Sequence, residues 1–185
     1  MGNPPILEIM PVHSYHLIFL PSYPTTTLRM HPIEYRTTDI RDIELIRPLW
    51  IQLNEYHHKN AKTFRSHYER MTFEDRKAYF EKLAAAGSLH LVLAFNPLSG
   101  GQYIGYCVTS LSPEKTGEIE SIFVEEEYRA LGIGSALVTR AMVWLNENGS
   151  VRNRVPVSDG NEEVWNFYKK FGFHPRMMML EQMKE

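Results

Sequence analysis

Residues 129–134 read Arg-Ala-Leu-Gly-Ile-Gly, joining a strand-like stretch, Glu118 to Val124, to a helix-like one from Ser135 to Leu145. A helix N-terminus carries backbone N–H groups without intrahelical acceptors and the positive end of the helix dipole, so such a turn is suited to a phosphate. Glycine at 132 and 134 removes the Cβ atoms that would hold the anion off. Spacing excludes two commoner phosphate loops. A Walker-type loop needs Lys-Ser or Lys-Thr after its last glycine, where Ser135-Ala136 stands, and a dinucleotide fingerprint wants a third small residue at Leu137.

What remains is the pattern Arg/Gln-x-x-Gly-x-Gly/Ala, and here the chain resembles the GNAT superfamily of acetyl-CoA-dependent N-acetyltransferases. Val124-Glu125-Glu126-Glu127-Tyr128-Arg129 is similar to the family's strand end and approach loop, without the proline often found at Glu126. Downstream, Asn161, then Tyr168 seven residues on, then Gly172-Phe173 match a second signature, with Val164 where a small residue is usual. The resemblance covers Ile33 to Glu181, firmly from Gly117 onward. It implies an α/β GNAT fold: a mixed central sheet flanked by helices, with strands splayed at the cofactor cleft.

Composition bounds the answer independently. At 185 residues and 43% hydrophobic content the chain buries a sizeable core in one domain. Its net charge of -2 provides no basic field for nucleic acid, so no nucleic-acid partner is expected. No apolar run approaches the ~20 residues that span a bilayer, which argues against a membrane partner. The single cysteine, Cys107, lies within the apolar stretch Tyr103 to Leu111 and reads as a buried, inert thiol. It excludes an internal disulfide and suits a reducing, cytoplasmic location. The eight histidines show no His-Glu-x-x-His spacing and there is no Cys-x-x-Cys pair, so no metal is expected.

Residues 1–31 read as an extension foreign to the domain, with prolines at 4, 5, 11, 21 and 24. Two readings stand: a real extension packing on the domain, or an upstream start preceding the true initiator at Met30. The basic region of a secretory signal is missing, and Ile6 occupies the Ser/Thr position of a myristoylation pattern. Residues 32–185 read as the domain. Ile33 to Arg36 is a short strand; Thr38-Asp39 caps a helix over Ile40 to Asn60, with Ile43, Ile46, Leu49, Trp50 and Leu53 at helical spacing. Thr72 begins a second helix ending near Gly87. Leu89 to Phe95 and Tyr103 to Leu111 read as strands joined by a hairpin connection from Asn96 to Gly101. After the strand Glu118 to Val124 and the helix from Ser135 to about Gly149, a strand is expected around Val155 to Val157. Pro156 would make it an edge. A helix from Glu162 to Phe171 and a strand from Phe173 to Leu180 complete the expectation.

Acetyl transfer to an amine needs a bound thioester, a neutral amine, a stabilised oxyanion and a proton for the leaving thiolate. The resemblance assigns the acetyl-CoA pyrophosphate to the backbone of Arg129, Ala130, Leu131, Gly132, Ile133, Gly134 and Ser135, and pantetheine pairing to the backbone near Ile122 and Val124. Glu118, eleven residues before Arg129, matches the base of the family's histone-acetylating branch. Strand alternation puts Glu118, Glu120, Ile122 and Val124 on one face, so Glu120 is a second candidate. Burial of either carboxylate would make it a better base; solvation would make both plain surface acids. Tyr168 matches the tyrosine that many members point at the cofactor sulfur, or it is a packed helix tyrosine beside Phe167 and Phe171. Asn161 matches a cofactor-contacting position and is equally an ordinary N-cap.

The implied activity is direct transfer of acetyl to a primary amine in a ternary complex, on a small molecule. Acetylation of a protein or peptide amine, and an acyl-CoA-binding module without turnover, are the alternatives. The segment Tyr56-His57-His58 through Phe64, His67 and Tyr68 falls where the family sets acceptor specificity. The six glutamates between Glu114 and Glu127 suit either a cationic amine or a solvated acidic loop. A homodimer is left open.

Overall fold

The computed structural model describes residues 33–98 and 100–182. The extension expected over residues 1–31 lies outside the described residues. Five strands form one sheet in the order β1 (Glu34–Thr38), β2 (Ser88–Phe95), β3 (Tyr103–Leu111), β4 (Thr116–Val124), β5 (Arg152–Arg154). The first four pair antiparallel, whereas β5 runs parallel to β4 through Thr116↔Arg152, Gly117↔Asn153 and Glu118↔Arg154. The sheet is therefore mixed. Its β4–β5 ladder ends at Glu118, and beyond that rung no described strand pairs the outer edge of β4.

Helices cover both faces. On one lie a 3-10 turn (Ile40–Ile46), α1 (Arg47–Asn60) and α3 (Phe73–Ala86), closing a core of Ile43, Ile46, Leu49, Trp50, Phe80 and Leu93 around Tyr106 and Val108. On the other lie α4 (Ile133–Glu147) and α5 (Trp165–Lys169), closing a second core of Val92, Cys107, Ile119, Leu137, Val138 and Ala141. The alternating side chains of β2 and β3 feed both cores, which is why these strands are buried almost throughout.

The chain starts and stops these elements by ordinary capping chemistry. The Asp39 side chain accepts from the Arg41 N–H at the head of the 3-10 turn. Pro48, with no N–H to donate, stands where this turn gives way to α1. Thr72 and Asp75 form a reciprocal capping box on α3, and Gly87 closes it. Between α1 and α3 the structure has a further helix, α2 (Arg65–Arg70), which buries no residue and so left no apolar period in the sequence.

Three expectations are corrected. The strand expected around Val155 to Val157 forms instead over Arg152–Arg154, with Pro156 beyond its end; it is the edge of the sheet, but the proline does not make it so. The helix expected from Glu162 to Phe171 is a 3-10 turn (Glu162–Val164) followed by the five-residue α5. The strand expected over Phe173 to Leu180 is not formed. Pro175 lacks a donor for a ladder, and Met177, Met178, Met179 and Leu180 are 89%, 75%, 84% and 87% exposed, so their apolar character has no packing partner among the described residues.

Candidate active site

The turn from β4 into α4 is built to present backbone donors. Ala130 and Gly132 both take left-handed conformations, φ 62° and 80°, and Ile133, only 1% exposed, anchors the start of the helix. The six consecutive N–H groups from Ala130 to Ser135 have no hydrogen-bond acceptor among the described residues; the first amide of the series to find one is that of Ala136, on the Gly132 carbonyl. Alternating backbone conformations of this kind form a concave nest of donors, an anion site reinforced by the helix dipole.

The two glycines serve different needs. Gly132 supplies the left-handed cap, whereas Gly134 has no positive φ, and a Cβ added there would meet only Phe167 at 3.6 Å. The protein's own packing therefore does not require a glycine at 134. Without a side chain there, the head of α4 is open to close approach by an anion of pyrophosphate type. The Arg129 side chain is turned away from it: Nε donates to the Val124 carbonyl at 3.1 Å and the guanidinium lies over the rings of Tyr56 and Phe123.

The ladder between β3 and β4 contains a bulge that overturns the expected alternation. Val108 pairs with Ser121 but Thr109 pairs with Ile119, leaving Glu120 as an extra residue with no partner on β3. A bulge shifts the side-chain pattern by one residue. Glu118 and Glu120 thus share the face covered by α3, together with Phe123, while Ile122 and Val124 pack on the α4 side. The four residues expected on one face are divided two and two. Any chain running along the free edge of β4 would have carboxylates on one side of it and the α5 side chains on the other.

The carboxylates differ sharply. Glu118, its side chain 15% exposed, is ion-paired with Arg154 across the last rung of the β4–β5 ladder. Among the described residues no cation is paired with the Glu120 carboxylate. Its Oε1 accepts from Ser110 Oγ at 2.6 Å and its Oε2 from Tyr79 OH at 3.2 Å. Burial raises its carboxyl above the usual carboxylate range, opposed by the Ser110 hydrogen bond; the charge of Glu118 raises it further, and Arg76 and Tyr79 oppose this.

On the opposite face Tyr168, 5% exposed, packs in the second core with Cys107 and Ile119, bordered by Ile122 and Val124. Its hydroxyl has no hydrogen-bond partner among the described residues. Burial pushes the phenol well above its ordinary value, so it stays protonated and able to donate. Cys107 is fully buried and its thiol is pushed up to about 12 by desolvation.

Asn161 occupies the N-cap position of the turn before α5 but makes no capping bond; its Oδ1 accepts from Tyr56 OH at 3.4 Å. This contact belongs to a bridge from the end of α1 and the α1–α2 loop to the segment before α5. Thr63 donates through N and Oγ1 to Asp159 Oδ2, each at 3.0 Å, and Lys62 Nζ pairs with Glu162 Oε1 at 2.7 Å. Gly160, at φ 84°, lies so close that a Cβ would collide with the Asn60 carbonyl oxygen. Behind the bridge, His57 stacks on Tyr68 with centroids 5.4 Å apart, and burial, then the nearby Arg76 cation, lowers its pKa and keeps it neutral.

Sequence reasoning missed Arg76, Tyr79, Ser110, Arg154 and the bulge. None carries a motif; the pairing of β4 with β3 and with β5 and the packing of α3 bring them to Glu118 and Glu120. Among the described residues no group of three or more His, Cys, Asp or Glu converges as metal donors, and no helix is long and apolar enough to cross a membrane.

The chain resembles known proteins in sequence and in fold. The profile of the Acetyltransferase (GNAT) family matches residues 52–173. An uncharacterized N-acetyltransferase of Methanocaldococcus jannaschii is 24% identical over 153 residues, a match spanning 80% of this chain and 63% of that relative. An uncharacterized N-acetyltransferase of Chlorobaculum tepidum is 40% identical over 73 residues, 40% of this chain and 44% of the relative. The chain thus spans less than two thirds of these relatives. Among solved structures, an aminoglycoside N-acetyltransferase in complex with CoA superposes with a TM-score of 0.60 at 18% identity, over 83% of this chain and 95% of that one, a likeness of fold.

Proposed function

The chain belongs to the acetyltransferase (GNAT) family, and on that premise we propose that it transfers acetyl from acetyl-CoA to the primary amine of a small molecule, by direct attack in a ternary complex. One observation carries the reading. The edge of β4 that no described strand pairs is flanked by a half-buried carboxylate with a raised pKa, Glu120, on one face and a protonated phenol without a described hydrogen-bond partner, Tyr168, on the other, and it leads to a cradle of free amides. An edge, an anion cradle, a base and an acid are the parts that acyl transfer from a phosphate-tailed thioester needs.

In this reading the nest from Ala130 to Ser135 holds the pyrophosphate, and the free backbone of β4 near Ile122 and Val124 pairs the pantetheine. Acetyl-CoA, when bound, supplies the thioester carbon that the amine attacks. Glu120 takes the proton lost by the amine nitrogen as the new C–N bond forms. Tyr168 gives its proton to the sulfur as the C–S bond breaks, and regains it from solvent. We assign the base to Glu120 rather than Glu118 because the guanidinium of Arg154 already occupies Glu118. Asn161, tied to Tyr56, borders the acceptor side.

The neighbour's aminoglycoside substrate and the paired glutamates both support a cationic small-molecule amine as acceptor. The buried lone thiol supports work in a reducing cytoplasm. The test is thiol release from acetyl-CoA against polyamines, amino acids, aminoglycosides and peptides. Release that depends on a small amine supports the reading; release only with peptides moves the acceptor to the protein class, and CoA binding without release from any amine contradicts turnover.

A further inference from the structure

Glu120 is the extra residue of the β4 bulge, so its backbone carbonyl lies where the ladder offers no donor. The Arg76 guanidinium supplies one, donating through Nη2 to that carbonyl. Arg76 is itself held flat: its guanidinium lies 4.5 Å from the Phe80 ring centroid and 5.0 Å from that of Tyr79. Phe80 is fully buried, so this platform is fixed in the core of the α3 face. Tyr79, three residues on and therefore on the same side of α3, reaches the Glu120 carboxylate with its hydroxyl. One helix face thus grips one residue at both ends, backbone by Arg76 and side chain by Tyr79.

We propose that Arg76 is a positioning residue for acetyl transfer: by capping the bulge carbonyl, it fixes the rotation of the β4 backbone that aims the Glu120 carboxylate along the unpaired edge of the strand. The inference rests on the reading of Glu120 as the base. A guanidinium suits this role better than an ammonium. It is planar and weakly hydrated, stacks on the two rings, and keeps its charge at every working pH. Without it the bulge carbonyl would be a partly buried acceptor with no partner, and the strand would be free to slip its bulge by a residue, which turns the carboxylate to the other face.

Arg76 also acts on Glu120 as a cation. The groups facing this carboxyl are Arg76 and Tyr79 from α3, Ser110 from β3, and Glu118 from β4, whose own charge is compensated by Arg154 of β5; His57 of α1 is neutral beside Arg76. Arg76 is the cation that acts directly on Glu120, so removing it raises the Glu120 pKa further.

The experiment is a carbon-13 titration of the glutamate carboxyls in the full chain, with the Glu120 signal assigned by its loss in Glu120→Gln. It is paired with kcat measured at saturating acetyl-CoA on the best amine from the screen. Arg76→Met is expected to move the Glu120 midpoint up by about half a pH unit or more and to lower kcat about tenfold or more. Arg76→Lys keeps the cation and should hold the midpoint near the parent value, with kcat still reduced because the planar contact is lost. A parent midpoint in Arg76→Met, whether or not the melting temperature falls, overturns the proposal, as does a parent kcat. If Glu120→Gln itself keeps the parent kcat, the base assignment fails, and the titration still reports separately whether Arg76 governs Glu120.

Discussion

Glu118 and Arg154 are ion-paired across the last rung at which β4 and β5 remain joined. The carboxylate that the family resemblance favours as base is therefore part of the seam where the sheet opens, while the carboxylate two residues on stands in the opening with no cation on its oxygens among the described residues. The two glutamates should accordingly behave differently when each is replaced.

A base works only as its carboxylate, so transfer falls as the pH drops through its pKa. Burial raises the Glu120 pKa, which places this acidic limb above the ~4.3 of an ordinary glutamate. Glu120→Gln should lower kcat by about 10² and remove the limb, read at saturating amine so that the acceptor's own ionisation does not dominate. Glu118→Gln should keep the limb, with its main effect on the β4–β5 seam. A limb lost in Glu118→Gln and kept in Glu120→Gln would return the base to Glu118.

Gly134 offers a cleaner probe of the cradle than most glycines, because the fold has room for a Cβ there. Gly134→Ala should leave the free protein as stable as the parent or more so, by up to roughly 1 kcal/mol, since alanine is the better helix former. It should nonetheless weaken CoA. Gly134→Glu should abolish CoA protection altogether, protection that in the parent amounts to about 2.7 kcal/mol at a hundredfold excess over Kd. Thermal shift with and without CoA measures both.

Gly160 is the opposite case. Its φ of 84° and its contact with the Asn60 carbonyl leave no room for a side chain, so Gly160→Ala should cost about 2 kcal/mol or more. Urea unfolding reads the loss directly. Because the Gly160 segment bridges to the α1–α2 loop through Thr63 and Asp159, amine KM should rise more than CoA Kd.

The parts of this protein that were legible in its sequence are those whose signal is local. Arg129 to Gly134 announced a strand-to-helix turn, Thr72 and Gly87 bounded α3, and Tyr103 to Leu111 is a strand with the expected limits. The bulge at Glu120 was not legible, since β4 buries every second residue, Gly117, Ile119, Ser121 and Phe123, straight through it while the faces exchange. Arg76 carries no motif, and the carbonyl it caps lies on β4, far away in sequence. Met177 to Leu180 shows the converse failure: a run with strand composition stays irregular because a strand also needs a neighbour to pair with.

Tyr168→Phe removes one hydroxyl and almost no volume, so it bears most directly on the claim that this site transfers acetyl across the edge of β4. The decisive measurement is the rate of acceptor-dependent thiol release from acetyl-CoA, with the acetylated amine weighed by mass spectrometry, in the parent, Tyr168→Phe and Glu120→Gln proteins at matched CoA occupancy. The account predicts thiol and acetylated amine appearing in step in the parent and each variant slower by about 10² with CoA affinity within a few-fold of the parent. Parent rates in both variants would contradict it.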